Sequence, residues 1–167
     1  KYKDIIFNNI ISIMAGIKTE RIRTVMDTSA DITRVMPNLA VQLNLGVSCI
    51  FHIKKNNSRR KKIVNDLFST LGTTFQVKEE KLLDAVTAVS GSGPAYFLLF
   101  LLEFEKISTE LGFSKKLSKN IVFSTIEGAF ELAKKRHNIQ SLINSITSKN
   151  GTTEAALKIL EKNNSGL

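Results

Sequence analysis

A single cysteine, Cys49, stands among 167 residues, so no intrachain disulfide can form. The chain suits a reducing compartment, which we read as the cytoplasm. The two histidines, His52 and His137, have no partner at metal-ligand spacing. No metal site is expected, and both are read as surface or structural residues. Long apolar runs are also missing. The longest, Ala95 to Leu102, is too short to span a bilayer, and Glu103, Glu105 and Lys106 follow it at once. Residues 1–17 contain Asp4, Asn8 and Asn9 and lack the clean apolar stretch of a secretory signal. No aromatic side chains interleave with the basic residues, as a single-strand nucleic-acid binder would need. Neither a membrane nor a nucleic acid is expected as a partner.

The bulk composition is that of a folded protein. Apolar residues make up 43%, enough for a core, and the net charge of +9 is spread over nearly every segment. The one dense basic run, Arg59-Arg60-Lys61-Lys62, reads as solvated surface. Cys49 reads as a small core hydrophobe.

The first half alternates strand and helix, which argues for α/β layers. Ile10 to Met14 reads as a buried strand ending at Ala15-Gly16. Thr19 is placed to cap a short helix over 20–27. Asp31 to Met36 reads as a second strand, stopped by Pro37. Gly46 to Ile53 reads as a third, with Val47, Cys49, Phe51 and Ile53 on one face. Asn56-Asn57-Ser58 forms a turn and a helix N-cap. Ile63, Val64, Leu67, Phe68 and Leu71 stripe the helix that follows. Gly72 sits where a C-terminal helix glycine belongs, and Thr73 to Val77 closes the series as a strand.

Beyond Lys78-Glu79-Glu80-Lys81 only helices are predicted. They cover 80–89, Pro94 to Leu111, Ser114 to about Arg136, roughly 139–147, and Thr152 to Lys162. This places a domain boundary near residue 78, with 1–78 as one part and 79–167 as an all-helical part. Two small-residue runs open helices here, Ser90 to Tyr96 and Ser148 to Thr153. Each presents backbone N–H groups at a helix start, where an anion is stabilised. The helix from Pro94 is apolar nearly all round, through Tyr96, Phe97, Leu98, Leu99, Phe100, Leu101, Leu102 and Phe104. Burial on every side points to a second subunit. The next helix carries a stripe of Leu117, Ile121, Thr125, Ala129 and Leu132. Gly128-Ala129 on it offers a place of close helix approach.

Five elements, in order and at matching spacing across residues 10–162, resemble the pyrroline-5-carboxylate reductase family. They are Ile11-Ser12-Ile13-Met14-Ala15-Gly16-Ile17; Arg34-Val35-Met36-Pro37-Asn38; Asp84-Ala85-Val86-Thr87 leading into Ser90 to Tyr96; Thr125 with Gly128-Ala129; and Gly151-Thr152-Thr153 with Ala156-Leu157 and Leu160-Glu161. Two departures stand out. Lys149 and Asn150 occupy the place of the family's proline and glycine, and Leu39-Ala40 follow Asn38 where threonine and proline are usual. No Gly-x-Gly-x-x-Gly turn occurs in the sequence. The resemblance therefore implies the carboxy-terminal two-thirds of such a reductase: an incomplete Rossmann-like α/β domain followed by an all-α dimerisation domain.

The activity implied is reduction of 1-pyrroline-5-carboxylate to L-proline with NADPH or NADH, in a homodimer or higher homo-oligomer. The alternative is a fragment that folds and dimerises without catalysis, and residues 1–167 alone are expected to turn over poorly. Ala15, Gly16, Met36, Pro37 and Asn38 are the implied border of the nicotinamide. Ser148, Gly151, Thr152, Thr153 and Thr87 are the implied substrate contacts. The amides of 151–153 are assigned to the substrate carboxylate. The Thr153 hydroxyl is assigned to the ring nitrogen, as the catalytic group.

Overall fold

A computed structural model describes residues 8–53, 57–136 and 138–164. Asn56 of the predicted turn and His137 lie outside them. The chain divides into two compact units, Lys1–Phe100 and Leu101–Leu167. The division falls within a helix, well past the change in sequence character near residue 78. The reason is that residues 80–91 pack on the sheet of the first unit.

The first unit is a four-stranded sheet with β1 (Asn9–Ser12), β2 (Asp31–Pro37), β3 (Gly46–His52) and β4 (Gly72–Gln76) in sequential order. β1 and β2 run parallel, as do β3 and β4, but β2 and β3 are antiparallel. A tight 3₁₀ turn over Leu39–Leu43 replaces a crossover helix and reverses the chain. Asn44, left-handed at φ 58°, ends the turn, and the Leu45 amide donates back to the Ala40 carbonyl at 3.2 Å.

The sheet is covered on both faces. On one, Val35 and Ile50 are paired in register and join Val64 and Phe68 of α2 (Ser58–Ser69) in the core. Asn57 caps α2, its side chain accepting from the Arg59 amide at 2.7 Å. The predicted α2 stripe is narrower than expected. Val64 and Phe68 are buried, whereas Ile63 and Leu67 are half exposed, because a flat sheet touches only one line of a short helix. The basic run starts this helix and is partly tied down. Arg60 pairs with Asp31 and Lys62 with Asp66.

Cys49 lies on the opposite face of the sheet from Ile50 and is buried, and burial pushes its thiol pKa up. The expected core face of β3 is thus only half of it, since Ser48, Cys49 and Ile50 are all buried. The second face is covered by α1 (Thr19–Met26), α3 (Leu82–Val86) and a π turn at Thr87–Gly91.

Gly72 is the first residue of β4, and the Cap of α2 is Thr70. Its backbone has φ +137°, and a Cβ there would fall on the Gly46 carbonyl of the neighbouring strand. The glycine is needed for strand approach, not for ending the helix.

The Ser90–Tyr96 run opens α4 at Gly93, but it does so directly after a π turn and not as a free helix start. α3, the π turn and α4 (Gly93–Glu110) form one continuous helical stretch, Leu82–Glu110. The Ser92 amide reaches back to the Thr87 carbonyl at 2.8 Å and Ala95 to Ser92 at 2.9 Å, so these N–H groups are not bare. Pro94 has no N–H to give, and the wider π turn just before it absorbs the lost bond. At 29 residues, with mean hydropathy 1.6 in its most apolar window, the stretch is long and apolar enough to cross a membrane. It is longer than the apolar run Ala95 to Leu102 because α3 and the π turn extend it. α4 ends at Gly112, φ +100°, with Gly112 donating to Thr109 and Phe113 to Ser108.

The second unit holds α5 (Lys115–Lys135), α6 (Ile139–Ile146) and α7 (Thr152–Asn164), after the end of α4. Ser114 caps α5 and Asn138 caps α6. The expected α5 stripe faces outward: Leu117, Ile121 and Leu132 are 40–46% exposed, while Ser118 and Val122 are buried. A Cβ on Gly128 would have no neighbouring atom within 4 Å among the described residues.

His52 is structural. Its Nδ1 is 3.1 Å from the Thr33 hydroxyl, and its Nε2 is buried with no partner among the described residues. Burial, and then the nearby Lys61 charge, hold its pKa below 6.5. The unfolded chain therefore binds the proton more readily than the folded one. The contribution to stability is complete above that pH and lost as pH falls below it. Denaturant unfolding at pH 7.5, 6.5 and 5.5 (round values on the histidine range) should show His52→Gln losing less stability on acidification than the unsubstituted chain. Gly72→Ala should cost about 3 kcal/mol in the same assay, from backbone strain and overlap with Gly46.

Candidate functional site

The site residues expected from sequence fall into two groups, one in each unit. In the first unit, β1 and β2 are parallel and release their chains at the same edge of the sheet. Ligands bind at that edge in open α/β sheets. The segment leaving β1, Ile13 to Lys18, is exposed throughout and includes Ala15 and Gly16. Gly16 turns the chain at φ +71° with open space on its Cβ side. Met36 and Pro37 end β2 and are half-buried. Asn38 is pinned to β3: its side-chain oxygen accepts from the Val47 amide at 3.1 Å, and its own amide donates to the Val47 carbonyl at 3.1 Å. Leu39-Ala40, the departure from the family pattern, begin the 3₁₀ turn.

Thr87 joins this group through the π turn. A Cβ on Gly91 would stand 3.3 Å from the Met36 methyl and 3.6 Å from the Thr87 methyl, so Met36, Thr87 and Gly91 are gathered at one point. The Thr87 hydroxyl donates to the Leu83 carbonyl at 2.8 Å. Its proton is engaged, and it can meet a ligand only as an acceptor.

In the second unit, Ser148 to Thr153 form the turn into α7. Asn150 takes the left-handed conformation, φ 59°, so asparagine fills the place of the family's glycine. A Cβ on Gly151 would displace the Ser148 hydroxyl and stand 3.1 Å from the Ser148 carbonyl oxygen, so the turn is tight here. The three amides assigned to a carboxylate are not equivalent. That of Gly151 donates to the Ser148 carbonyl at 3.0 Å, whereas Thr152 and Thr153 have no amide acceptor among the described residues. Asn150 donates to the Glu154 carboxylate at 2.6 Å, and Lys158 pairs with the other Glu154 oxygen at 2.7 Å. The Lys158 hydrogen bond, then the Asn150 amide, lowers the Glu154 pKa. An internal anion thus already braces the turn, with its charge balanced by Lys158.

Sequence reading missed one cluster. Arg34 in mid-β2 is 3% exposed and reaches Glu80 at 3.1 Å. Glu80 also accepts from the Thr19 amide at 2.7 Å and the Thr19 hydroxyl at 3.0 Å. Thr19 therefore does not cap α1, whose N-cap is Lys18. Arg34 further reaches the Met14 carbonyl at 3.4 Å. The available signal was a charged residue inside an apolar strand run, which needs a buried partner. Among the described residues no group of acidic, histidine or cysteine side chains could hold a metal.

The chain matches the family described as pyrroline-5-carboxylate reductase dimerisation over residues 80–166, just over half its length. The chain belongs to the pyrroline-5-carboxylate reductase family. The pyrroline-5-carboxylate reductase of Haemophilus influenzae is 34% identical over 91% of this chain and 57% of its own length. That of Aquifex aeolicus is 35% identical over 92% and 58%. The chain thus spans a little over half the length of the curated relatives it matches. Among solved family members, Plasmodium falciparum pyrroline carboxylate reductase with NADP bound is 38% identical, with a TM-score of 0.86 over 92% of this chain and 62% of that one. The Streptococcus pyogenes enzyme is 30% identical, with a TM-score of 0.90 over 98% and 64%.

Glu154→Ala should loosen the family turn without unfolding the chain. Amide exchange at Asn150 and Gly151 should run about two- to fivefold faster, and Glu154→Gln should retain part of the protection.

Proposed function

We propose that this chain acts in the NAD(P)H-dependent reduction of 1-pyrroline-5-carboxylate to L-proline, as an oxidoreductase of the cytoplasm. The observation that carries the reading is family identity over more than nine-tenths of the chain, which runs through both groups of site residues. The division of labour we propose is a nucleotide-binding part to about residue 78, and a helical part over 79–167 for dimerisation and substrate binding.

Ala15, Gly16, Met36, Pro37 and Asn38 are assigned to the nicotinamide end of the cofactor. The fit rests on an exposed backbone segment with Ile13, Met14 and Ile17 at 38–60% exposure, a surface suited to a flat ring. When bound, the reduced nicotinamide supplies the hydride. The protein's part is placement and one proton. The Thr152 and Thr153 amides hold the substrate carboxylate at the α7 start, where the helix dipole favours an anion. Ser148 adds a hydroxyl, and Gly151 allows the tight bend that brings it there. The Thr153 hydroxyl hydrogen-bonds the ring nitrogen and helps deliver its proton. Thr87 contributes an acceptor on the substrate side.

A homodimer is the proposed partner. Tyr96, Phe97, Leu98, Leu99 and Leu102 of α4 are 58–61% exposed, and the family match over this region is a dimerisation match. Covering that surface with a second copy removes it from water.

The protein expressed from its own gene should consume NADPH only when pyrroline-5-carboxylate is supplied, form proline, and sediment as a dimer or larger. Thr153→Val should lower kcat about 100-fold. A dimer without turnover would favour the second reading, a non-catalytic member of the family. A monomer that neither binds NADPH nor forms proline would remove both.

A further inference from the structure

We propose that Glu80 and Arg34 are positioning residues for the cofactor edge: together they clamp the chain between β1 and α1 so that its backbone keeps one conformation. The inference rests on the assignment of Ala15 and Gly16 to the nicotinamide.

The segment from Ile13 to Lys18 has little else to hold it. Each of its residues is exposed, and its glycine stands in open space at φ +71°. Such a segment samples many conformations unless its ends are fastened. Both ends are fastened to one ion pair. At the near end, the Arg34 guanidinium reaches the Met14 carbonyl at 3.4 Å, and the Met14 amide meets the Ser12 hydroxyl at 3.4 Å. At the far end, one Glu80 oxygen takes the Thr19 amide at 2.7 Å and the other takes the Thr19 hydroxyl at 3.0 Å. Arg34 Nη1 and Glu80 Oε1, 3.1 Å apart, join the two ends.

The anchor itself is rigid. Arg34 is in mid-strand, 3% exposed and paired in register with Ser12 and Phe51. Glu80 begins the segment that continues through α3 to Thr87 and Gly91, so the same carboxylate ties the β1 edge to the element that gathers at Met36. The carboxylate also stands at the start of α1, an eight-residue helix whose N-cap residue, Lys18, offers no side-chain cap. A distant glutamate supplies the acceptor that a local Ser or Asp would ordinarily give. The charge matters as well as the shape, because a carboxylate bonded to both a guanidinium and an amide holds each more tightly than a neutral amide would.

The test compares Glu80→Gln, Glu80→Asp and the unsubstituted protein, each expressed from its own gene. Two readouts are taken: amide exchange, and steady-state kinetics with NADPH and pyrroline-5-carboxylate. Glu80→Gln should speed exchange at Met14 to Thr19 about tenfold while Ile32 and Ile50 in the sheet keep their protection. It should also raise the KM for NADPH about tenfold with little change in kcat. Glu80→Asp, which keeps the charge, should recover part of both effects. Unchanged exchange at 14–19, or an unchanged KM for NADPH, overturns the proposal. So does a uniform loss of protection across the sheet that Glu80→Asp does not repair. If the unsubstituted protein fails to use NADPH, the reductase reading falls and this inference with it. That failure shows in the parent protein, whereas failure of the clamp alone shows only in the variants.

Discussion

Arg34 sets the constraint around which the first unit is arranged. A guanidinium cannot be deprotonated away, so a buried one must be met by an opposite charge and by enough acceptors for its N–H groups. Glu80 and the Met14 carbonyl meet that demand. Such a pair adds little net stability compared with a well-packed apolar substitute. Its value here is geometric. It brings residues 46 positions apart to one place, and through Thr19 it fixes where α1 begins. The segment after Lys78 therefore packs on the sheet, although its sequence reads as the start of a separate helical part.

The two faces of the sheet divide the work. One face is a conventional apolar seam of Val35, Ile50, Val64 and Phe68 under α2. The other carries Arg34, Met36 and Cys49 under α3 and the π turn. The second face also buries Ile32, with Ile22 of α1 and Leu83 of α3, and the Arg34–Glu80 pair adds polar anchoring to that apolar packing. A side chain held by hydrogen bonds is confined in direction as well as depth.

The turn into α7 shows the same economy in the second unit. Proline and glycine would stiffen such a turn by restricting the backbone. Here Asn150 supplies the left-handed residue, and the Glu154 carboxylate, steadied by Lys158, grips its amide. A side-chain brace restrains the turn where no proline does. The apolar surface of α4 stands outside both arrangements. That exposed face lies within the residues that match the family's dimerisation region.

Local chemistry was legible along the chain. Periodicity, caps and glycines marked the strand from Asp31 to Met36, the cap within Asn56-Asn57-Ser58, the start of α5 at Ser114 and the end of α4 near Leu111, because these depend on neighbours a few residues away. The turn at Asn150 was readable for the same reason. Motif order was enough to place the chain in its family. The antiparallel step between β2 and β3, the strand role of Gly72, the outward face of Leu117 and Ile121, and the unbroken run from Leu82 to Glu110 were decided by tertiary structure. Each depends on what lies across a gap in sequence: a strand backbone at Gly46, a helix line on a sheet, a π turn taking up a proline. The clearest case is Thr19. Its sequence position suits a cap, and only the fold brings Glu80 within hydrogen-bond reach of it, because a buried Arg34 has to be answered.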